Sequence, residues 1–423
     1  MSLDVLGEAA GMARKAGPAD AVGGCPARFV AAPGRVDQLA VLLGRCAGEG
    51  LTVVARGDGS KLDWGGRPAG VDVIVDTAKL AGVHAHSTGD LVVTVGAGTP
   101  LHALQAALAP SGQRLALDPG SVEATVGGML ATNEAGPLAH TYGAPRDLLI
   151  GVQFVRADGT VARSGGKVVK NVAGYDVGKL LCGSYGTLGV ITEATFRLHP
   201  LPIERVMLIR SVYTPSEVDG LVTALLGSGL APTAVEVDLP SSVDRPVPRQ
   251  HGGNGPALSG TLAVLFEGSA VGARARAQAA AGLIGGVVVP GDDAPDWWGR
   301  YPFGLDDVGL RLSVPVANLP AAIYALGDAA GGPVPVRGAA GIGVVHAALP
   351  GDLPAARVAN ILDAVRRVLL ARGGSCEVLC APEHLRGELD LWGPVPGIEL
   401  MREIKERFDP RRTLSPGRFV GGI

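Results

Sequence analysis

The sequence predicts an α+β protein built from two domains, and three observations support this. A chain of 423 residues usually forms two or three domains with large buried cores. Apolar runs alternate with segments of helical period along most of the chain, which is typical of sheets with helices packed on them. The composition changes at Pro200 and Pro202, which predicts a domain boundary at this point of the chain.

The segment 1–200 predicts a domain of short elements. Residues 1–26 read as a short helix and a loop, and a strand ends near Pro33. Apolar residues recur at helical period from Val36 to Cys46, which predicts the first long helix. The remaining predictions are strands over 51–55, 71–76 and 91–96, a helix over 100–109, a hairpin over 148–161 that turns at Asp158–Gly159, and a strand over 187–198.

The second part of the chain repeats this alternation in coarse form. A Pro/Gly-rich loop over 240–260 interrupts it, and residues 383–423 are predicted as a helix followed by an ordered tail. Strands are predicted over 204–212, 233–239, 261–267, 286–290, 309–315, 341–348 and 375–380, and helices over 215–228, 270–282, 318–330 and 352–372.

Bulk composition excludes several classes of function. Formal net charge is −3 without a basic stripe, which argues against a nucleic-acid partner. The nearest candidate for a membrane span, 277–290, is short and broken by glycines. The segment from Met1 to Asp20 lacks a basic stretch followed by an apolar one, so we expect no signal peptide. Five scattered cysteines favour a cytoplasmic protein without an iron–sulfur cluster. Any association with a membrane would come only through partners.

The stretch from Asp118 to Thr192 holds the most informative pattern. Glycines cluster there with small hydroxyl and amide side chains. Glycine permits close backbone approach and positive φ, at a cost in chain entropy. The array as a whole predicts backbone wrapped against a large, flat, polar ligand. Any single glycine is explained as well by an ordinary turn, since 64 of the 423 residues are glycine.

The loop RGDGSKLDWGG at 56–66 follows a predicted strand and invites comparison with a Rossmann fingerprint. That interpretation fails because Leu62 stands where the third glycine belongs and no helix follows. Such a loop can instead form a nest of backbone N–H groups around a pyrophosphate. Ser60 and Lys61 would add a hydroxyl group and a positive charge, whereas the alternative is a plain surface turn.

These segments resemble the flavin-binding domain of the vanillyl-alcohol oxidase / p-cresol methylhydroxylase superfamily. In that family TxGGxxAxNxxG and GYDLxKLxxGSxGTLGVIT surround FAD. The matching stretches here are TVGGMLATNEAG at 125–136 and GYDVGKLLCGSYGTLGVIT at 174–192. The resemblance implies a two-part FAD-binding domain of the p-cresol methylhydroxylase type over 1–200 and 385–423. It also implies an α+β cap domain over 201–384.

The resemblance implies FAD contacts at four places. The 56–61 loop would hold the pyrophosphate, and the segment around 119–136 would run along the isoalloxazine and ribityl chain. Gly127–Gly128 at a helix start would present N–H groups to phosphates or flavin carbonyls. The implied residues are Arg56, Gly57, Asp58, Gly59, Ser60 and Lys61; Pro119, Gly120, Ser121, Thr125, Val126, Gly127, Gly128, Ala131, Asn133 and Gly136; Lys170, Gly174 and Tyr175; and Val190 and Ile191, whose backbone would pair with the flavin ring or adenine side.

Two departures from the family pattern bear on the cofactor. Many relatives attach the flavin covalently through a His in the pyrophosphate loop, and residues 56–66 contain none. The resemblance therefore implies FAD bound non-covalently. Tyr185 stands where the family often has Glu in GSEGTLG, a change that we expect to affect binding little.

The cap carries an eroded version of a family motif. FAD-dependent 2-hydroxyacid dehydrogenases of the superfamily have GHAGDGNLH, whose histidines bind a divalent metal or the substrate carboxylate. The matching stretch here is GAAGIGVVH at 338–346, in which only His346 remains; Ala339, Ile342 and Val344 replace the other polar residues. A metal site needs at least three protein ligands, so we predict no metal and assign no catalytic residue.

The C-terminal part resembles one branch of the superfamily, the FAD-binding E-type subunits of bacterial glycolate oxidase. The resemblance rests on APEHLRGELDLWG at 381–393, LMREIKERFDP at 400–410 and LSPGRFVGGI at 414–423. It implies a complex with a catalytic flavoprotein subunit and an iron–sulfur subunit, between which this chain's flavin relays electrons.

Two other functions stay open at this point. A stand-alone FAD-dependent 2-hydroxyacid dehydrogenase needs a clamp for the substrate carboxylate, for which Arg311, Arg337 and His346 are candidates. A non-catalytic assembly subunit would keep the fold without a working flavin.

Overall fold

The computed structural model of the chain describes residues 2–121, 123–166, 176–240 and 260–423. They divide into two compact units. The first contains Met1–Ala135, Tyr142–Leu201 and Val395–Ile423, and the second contains Gly136–Thr141 and Pro202–Pro394. Helices and sheets are mixed throughout, which confirms the predicted α+β class. No helix among the described residues has the length and apolar character needed to cross a membrane.

The elements between Leu3 and Pro200 are short, as the sequence predicts. The long predicted helix is present and buries the apolar face formed by Leu39, Leu42, Leu43 and Cys46. In chain order the elements are α1 Leu3–Ala10, β1 Ala13–Lys15, β2 Ala21–Val22, β3 Cys25–Pro26, β4 Phe29–Ala31, α2 Val36–Gly48, β5 Val53–Arg56, β6 Val73–Asp76, β7 Val83–Ser87, β8 Val92–Gly96, α3 Leu101–Leu108, β9 Gln113–Arg114, α4 Val126–Thr132, α5 Ala139–Tyr142, α6 Pro145–Leu148, β10 Leu149–Val155, β11 Val161–Gly165, α7 Val177–Leu181, β12 Val190–Arg197 and β13 His199–Pro200.

Two sheets organise the first unit. One has the strand order β1-β4-β6-β5, in which β4, β6 and β5 run parallel. The other is antiparallel, with the order β11-β10-β12-β8-β7. The predicted hairpin forms β10 and β11. Strand β7 was not predicted because its sequence, VHAHS, has little apolar alternation and lies largely exposed at the sheet edge.

The second unit is built on one eight-stranded sheet with the order β17-β14-β16-β15-β19-β20-β18-β21. Its elements are β14 Glu204–Val212, α8 Pro215–Gly227, β15 Ala234–Leu239, β16 Gly260–Gly268, α9 Ala270–Ile284, β17 Val287–Pro290, β18 Asp307–Ser313, α10 Leu319–Ala330, β19 Val336–Ala339, β20 Val344–Pro350, α11 Ala355–Leu370, β21 Ser375–Cys380 and α12 Glu383–Arg386.

Most elements of the second unit agree with the predictions, with two differences. Strand β19 was not predicted, because its four residues include Gly338 and present too short an apolar pattern. The strand predicted over 341–348 begins only at Val344, because Gly343 adopts a φ of 72° after a short 3₁₀ turn. The loop predicted over 240–260 lies almost entirely outside the described residues.

The tail belongs to the first unit and starts with α13, Ile398–Phe408. Beyond this helix the backbone pairs with β5: the N–H of Val53 donates to Thr413 O at 2.7 Å, and the N–H of Ser415 donates to Val53 O at 2.8 Å. The end of the chain therefore extends a sheet whose other strands all come from its N-terminal part, between Ala13 and Asp76.

A buried ion pair fixes the turn between α13 and this pairing. Lys405 and Asp409 have side chains only 2% and 0% exposed, and their Nζ–Oδ2 distance is 2.7 Å. The Lys405 ammonium also donates to the carbonyls of Thr187 and Leu414, and the Asp409 carboxylate accepts the N–H groups of Thr413 and Leu414. Burial lowers the pKa of Lys405, although the charge of Asp409 opposes that shift.

Candidate functional site

A small open cleft lies in the first unit where four segments meet. The loop after β5 forms one wall and helix α4 another. Tyr185 and the tail residue Arg418 close the remaining sides. Its lining includes nine of the sequence-predicted site residues, namely Arg56, Gly57, Asp58, Gly59, Ser60, Lys61, Thr125, Gly128 and Ala131.

The loop approaches α4 closely because Gly57 has no side chain. A Cβ at this position would overlap the Oγ1 atom of Thr125, which caps the N-terminus of α4 by accepting the N–H of Gly128 at 3.3 Å. Within the described part of the chain, the N–H groups of residues 57–60 donate to no acceptor. Consecutive backbone donors of this kind form a nest for an anion.

The Arg56 side chain at the start of this loop is already hydrogen-bonded. Its guanidinium donates to Asp20 Oδ1 at 2.7 Å and to Asp76 Oδ2 at 2.8 Å. Burial alone would lower the pKa of Arg56, but the two carboxylates outweigh it and raise that pKa. Because Asp20 and Asp76 occupy both ends of the guanidinium, Arg56 braces the base of the loop and is not available as a free cation.

Lys61 is held by a residue that the sequence analysis did not assign. Its Nζ lies 2.7 Å from Glu134 Oε2, with side chains 6% and 1% exposed. The other oxygen of Glu134 accepts the N–H of Ser121 at 2.9 Å and the Ser121 hydroxyl at 2.8 Å. One carboxylate thus joins the predicted site residues Lys61 and Ser121, which lie far apart in the sequence.

In helix α4 the N–H groups of both predicted glycines are already hydrogen-bonded. The N–H of Gly127 donates to Ala97 O at 2.7 Å, and that of Gly128 goes to the Thr125 cap, so neither is free to face a ligand. Asn133 ends α4 in the left-handed region with a φ of 50°, and its side chain accepts the N–H of Arg146 at 3.1 Å. Gly127 and Asn133 thus have structural roles in packing and capping this helix.

The remaining predicted residues are distributed as follows. Val190 and Ile191 are buried and pair with Val155 and Phe154 of β10, whereas the pairing of their strand with β8 begins only at Glu193. Pro119 and Gly120 are partly buried, Val126 is fully buried, and Gly136 belongs to the second unit. Lys170, Gly174 and Tyr175 lie outside the described residues.

Arg418 and Tyr185 complete the cleft without having been predicted as site residues. Arg418 is buried and donates to the carbonyls of Lys61 at 3.2 Å and Trp64 at 2.6 Å. Tyr185 has a φ of 55°, and its ring lies 5.9 Å from that of Phe419. The sequence signal for Arg418 was its place in the tail motif, and that for Tyr185 was the departure from GSEGTLG.

The second unit aligns the three clamp candidates. Cross-strand pairs place Asp238, Arg337, His346, Arg311 and Glu377 in one row across β15, β19, β20, β18 and β21. Each arginine also forms an ion pair with the acidic residue at its end of the row. Arg337 Nε lies 2.8 Å from Asp238 Oδ1, and Arg311 Nη2 lies 2.5 Å from Glu377 Oε2. The three candidates are therefore neighbours on one face of the sheet.

His346 stands in the middle of this row between two cations. The Tyr301 ring meets its imidazole edge-on at a centroid distance of 4.8 Å. Burial, with a further contribution from Arg311, lowers the pKa of His346 to about 3. His346 is therefore neutral near pH 7. No group of three or more His, Cys, Asp or Glu side chains is placed to hold a metal in the described ranges.

Comparison with known proteins identifies the first unit. Residues 27–165 match the family described as an FAD binding domain. The fold is similar to that of an alkyldihydroxyacetonephosphate synthase, with a TM-score of 0.66 at 16% identity over 93% of this chain and 76% of the synthase. Residues 27–165 therefore correspond to an FAD-binding domain.

Three relatives place this flavoprotein among oxidoreductases. It is 29% identical to an uncharacterised FAD-linked oxidoreductase of Mycobacterium tuberculosis, over 93% of this chain and 91% of that protein. It is 39% identical to glycolate oxidase subunit GlcE of Escherichia coli over 38% of this chain and 46% of that one. A probable mitochondrial D-lactate dehydrogenase of Danio rerio is 27% identical over 93% of this chain and 84% of that one. These matches support an FAD-linked oxidoreductase.

Proposed function

We propose that this flavoprotein is the FAD-binding subunit of an assembly that oxidises glycolate or a related 2-hydroxyacid. The cleft carries the proposal, because it places the free N–H groups of residues 57–60 beside Ser60 and Lys61. FAD supplies the redox chemistry when bound, and the chain's residues bind and orient it. The similarity to glycolate oxidase subunit GlcE and to a D-lactate dehydrogenase supports the substrate class.

The FAD is proposed to bind without a covalent link. The loop 56–66 offers neither His nor Cys as an attachment point. A mass spectrum of the denatured, FAD-loaded protein is then expected to show the mass of the polypeptide alone. A species heavier by one flavin would contradict the non-covalent mode without affecting the proposed site.

The proposed role of the flavin is to relay electrons from a catalytic flavoprotein subunit to an iron–sulfur subunit. The 39% identity with subunit GlcE supports this arrangement. We expect the anaerobic flavin absorbance of the isolated chain to persist with glycolate and to bleach once the catalytic subunit is added. Bleaching of the isolated chain by glycolate alone would contradict the relay.

A stand-alone 2-hydroxyacid dehydrogenase is the second candidate. The row Arg337–His346–Arg311 favours it, because two guanidinium groups flank a neutral imidazole, and guanidinium binds carboxylates well. So does the match with a D-lactate dehydrogenase over 93% of this chain. This candidate predicts rapid anaerobic bleaching of the isolated chain by D-lactate. It also predicts a KM at least about tenfold higher in Arg311→Lys and unchanged in the surface control Arg357→Lys.

A further inference from the structure

The cleft lining contains three cations, and each is already engaged. The two terminal nitrogens of Arg56 form ion pairs with Asp20 and Asp76. Arg418 donates to two backbone carbonyls of the loop. Lys61 is paired with one carboxylate, that of Glu134, at 2.7 Å.

Glu134 lies behind the wall of the cleft that Lys61 forms. Its side chain is 1% exposed and is not part of the cleft lining, whereas Lys61 is. A buried carboxylate is costly to desolvate unless its oxygens are paired and hydrogen-bonded. Glu134 meets that requirement with the Lys61 ammonium on one oxygen and the Ser121 N–H and hydroxyl on the other.

A diphosphate entering the cleft adds negative charge to a partly desolvated site that holds no unpaired cation among the described residues. An ammonium group is a compact charge with three donors, so it can turn toward a new anion while keeping part of its first contact. The two-ended bracing of Arg56 leaves that side chain no comparable freedom.

We propose that Glu134 is a positioning residue that holds Lys61 at the cleft wall, and that Lys61 shifts its charge toward the diphosphate of FAD when the cofactor binds. Glu134 then competes with the cofactor for the same ammonium group. This inference rests on the cleft being the FAD site of the proposed function.

The test compares three probes on the flavin-free full chain by titration calorimetry: FAD, ADP, which has the diphosphate without flavin, and riboflavin, which has flavin without phosphate. Glu134→Gln keeps the side-chain shape and removes the competing charge. We expect it to tighten ADP and FAD binding by about tenfold, the factor of one charge-assisted hydrogen bond. Riboflavin affinity should not change.

The double variant Lys61→Met/Glu134→Gln separates binding from folding. It removes both buried charges together, which proteins tolerate far better than the loss of one partner. We expect a melting temperature close to that of the unmodified chain and ADP and FAD affinities about tenfold weaker. The exposed Lys79→Met serves as the matched lysine control and should change neither quantity.

Several results would overturn the inference. Glu134→Gln could weaken ADP binding, which would mean that Glu134 supports the site only through structure. The double variant could bind ADP as tightly as the unmodified chain, which would exclude Lys61 as the phosphate cation. An unmodified chain that binds riboflavin and FAD but not ADP would also refute it while leaving the flavin site intact. Failure to bind any of the three probes would refute the proposed function itself.

Discussion

Gly57 determines how near the loop after β5 lies to helix α4. The loop touches the helix at its capping residue, so the space for a ligand and the helix N-terminus depend on the same atom, Thr125 Oγ1. A side chain at residue 57 would have to displace that cap. The contact also explains why a glycine is required at this position without any positive φ.

Gly57→Ala is expected to lower the free energy of unfolding by about 1–3 kcal/mol through overpacking and to weaken FAD binding. Urea denaturation and flavin fluorescence titration measure the two effects. Gly48→Ala is the matched control, because nothing lies within 4 Å of a Cβ there, and it should change stability by no more than about 1 kcal/mol. Equal effects of the two variants would contradict the steric argument.

Asp20 links the loop base to acid stability. Its hydrogen bond with Arg14, supported by the N–H of Gly17 and by Arg56, holds the pKa of its carboxyl well below the ordinary value of 3.8. Because the pKa of Asp20 is lower in the folded protein than in the unfolded chain, its ionised carboxylate stabilises the fold at any pH above the ordinary pKa. This stabilisation is lost as the pH falls toward the folded-state pKa. The decrease in the free energy of unfolding that arises from Asp20 should therefore appear below about pH 4.

Asp20→Asn is expected to lower the urea midpoint at pH 7 and to flatten its decline between about pH 4 and pH 2. Asp37→Asn is the control, because Asp37 pairs with Arg35 on the surface, where the Arg35 and Asp37 side chains are 69% and 66% exposed. It should leave the midpoint within error. An unchanged acid slope in Asp20→Asn would show that other carboxyl groups dominate.

Sequence reasoning located the loop, Lys61 and Ser121 but not the carboxylate that joins them. Glu134 occupies a variable position of TxGGxxAxNxxG, so no motif singled it out. The same limit applies to Asp20 and Asp76, since pairing across the fold leaves no local pattern. The expectation for the Gly127–Gly128 N–H groups took no account of Ala97 O and the Thr125 cap, which accept them in this structure.

Among the elements, α13 has the strongest single constraint, the buried pair Lys405–Asp409. The pair organises the turn that brings Leu414 beside Val53 and so sets where Arg418 meets the loop. The spacing of four residues is that of neighbours on one helix face, although Asp409 lies just beyond the last residue of α13. That spacing did not show that the Lys405–Asp409 pair is buried.

Asp409→Ala is expected to lower the free energy of unfolding by about 3–5 kcal/mol, because it leaves the Lys405 ammonium buried without its counter-ion. Glu399→Ala, which breaks the exposed pair with Arg402 on the same helix, should cost about 0.5 kcal/mol or less. Chemical denaturation gives both values. A loss below about 1 kcal/mol in Asp409→Ala, the range of a solvated pair, would mean that water reaches Lys405.

Elements with clear apolar periodicity were predicted well, and exposed or very short ones were missed. Helix α2 and strands β14 and β21 agree with prediction at nearly every residue. Strand β7 is a polar sheet edge, and β19 is held between neighbours by pairing that no local pattern reveals. Periodicity reports burial of one face: β7 buries too little of that face, and β19 is buried but too short to show a period.

Over the whole chain, the two units differ in how many separate segments of the sequence each contains. Apart from residues 136–141, the second unit is continuous from Pro202 to Pro394 and contains a complete sheet and core. The first unit needs three separate segments, and its β5 strand pairs with the tail.

A fragment of residues 202–394 is therefore expected to unfold in one cooperative transition. Its melting temperature should be below that of the unit in the full chain, because it lacks the hydrogen bond from Thr141 Oγ1 to Thr233 O. A fragment of residues 1–201 should show no cooperative transition without the tail. Thermal melts followed by circular dichroism test both, and cooperative unfolding of the 1–201 fragment would contradict the role assigned to the tail.

The tail pairing with Val53 also sets an order of events during synthesis. Strand β5 leaves the ribosome long before its partner Leu414, which is synthesised much later. At typical synthesis rates the first unit waits roughly 20–70 s for its last strand, while the second unit has its whole sheet available first. The nascent first unit thus lacks the cleft wall that Arg418 forms until the tail emerges, and the proposed FAD site is complete only then.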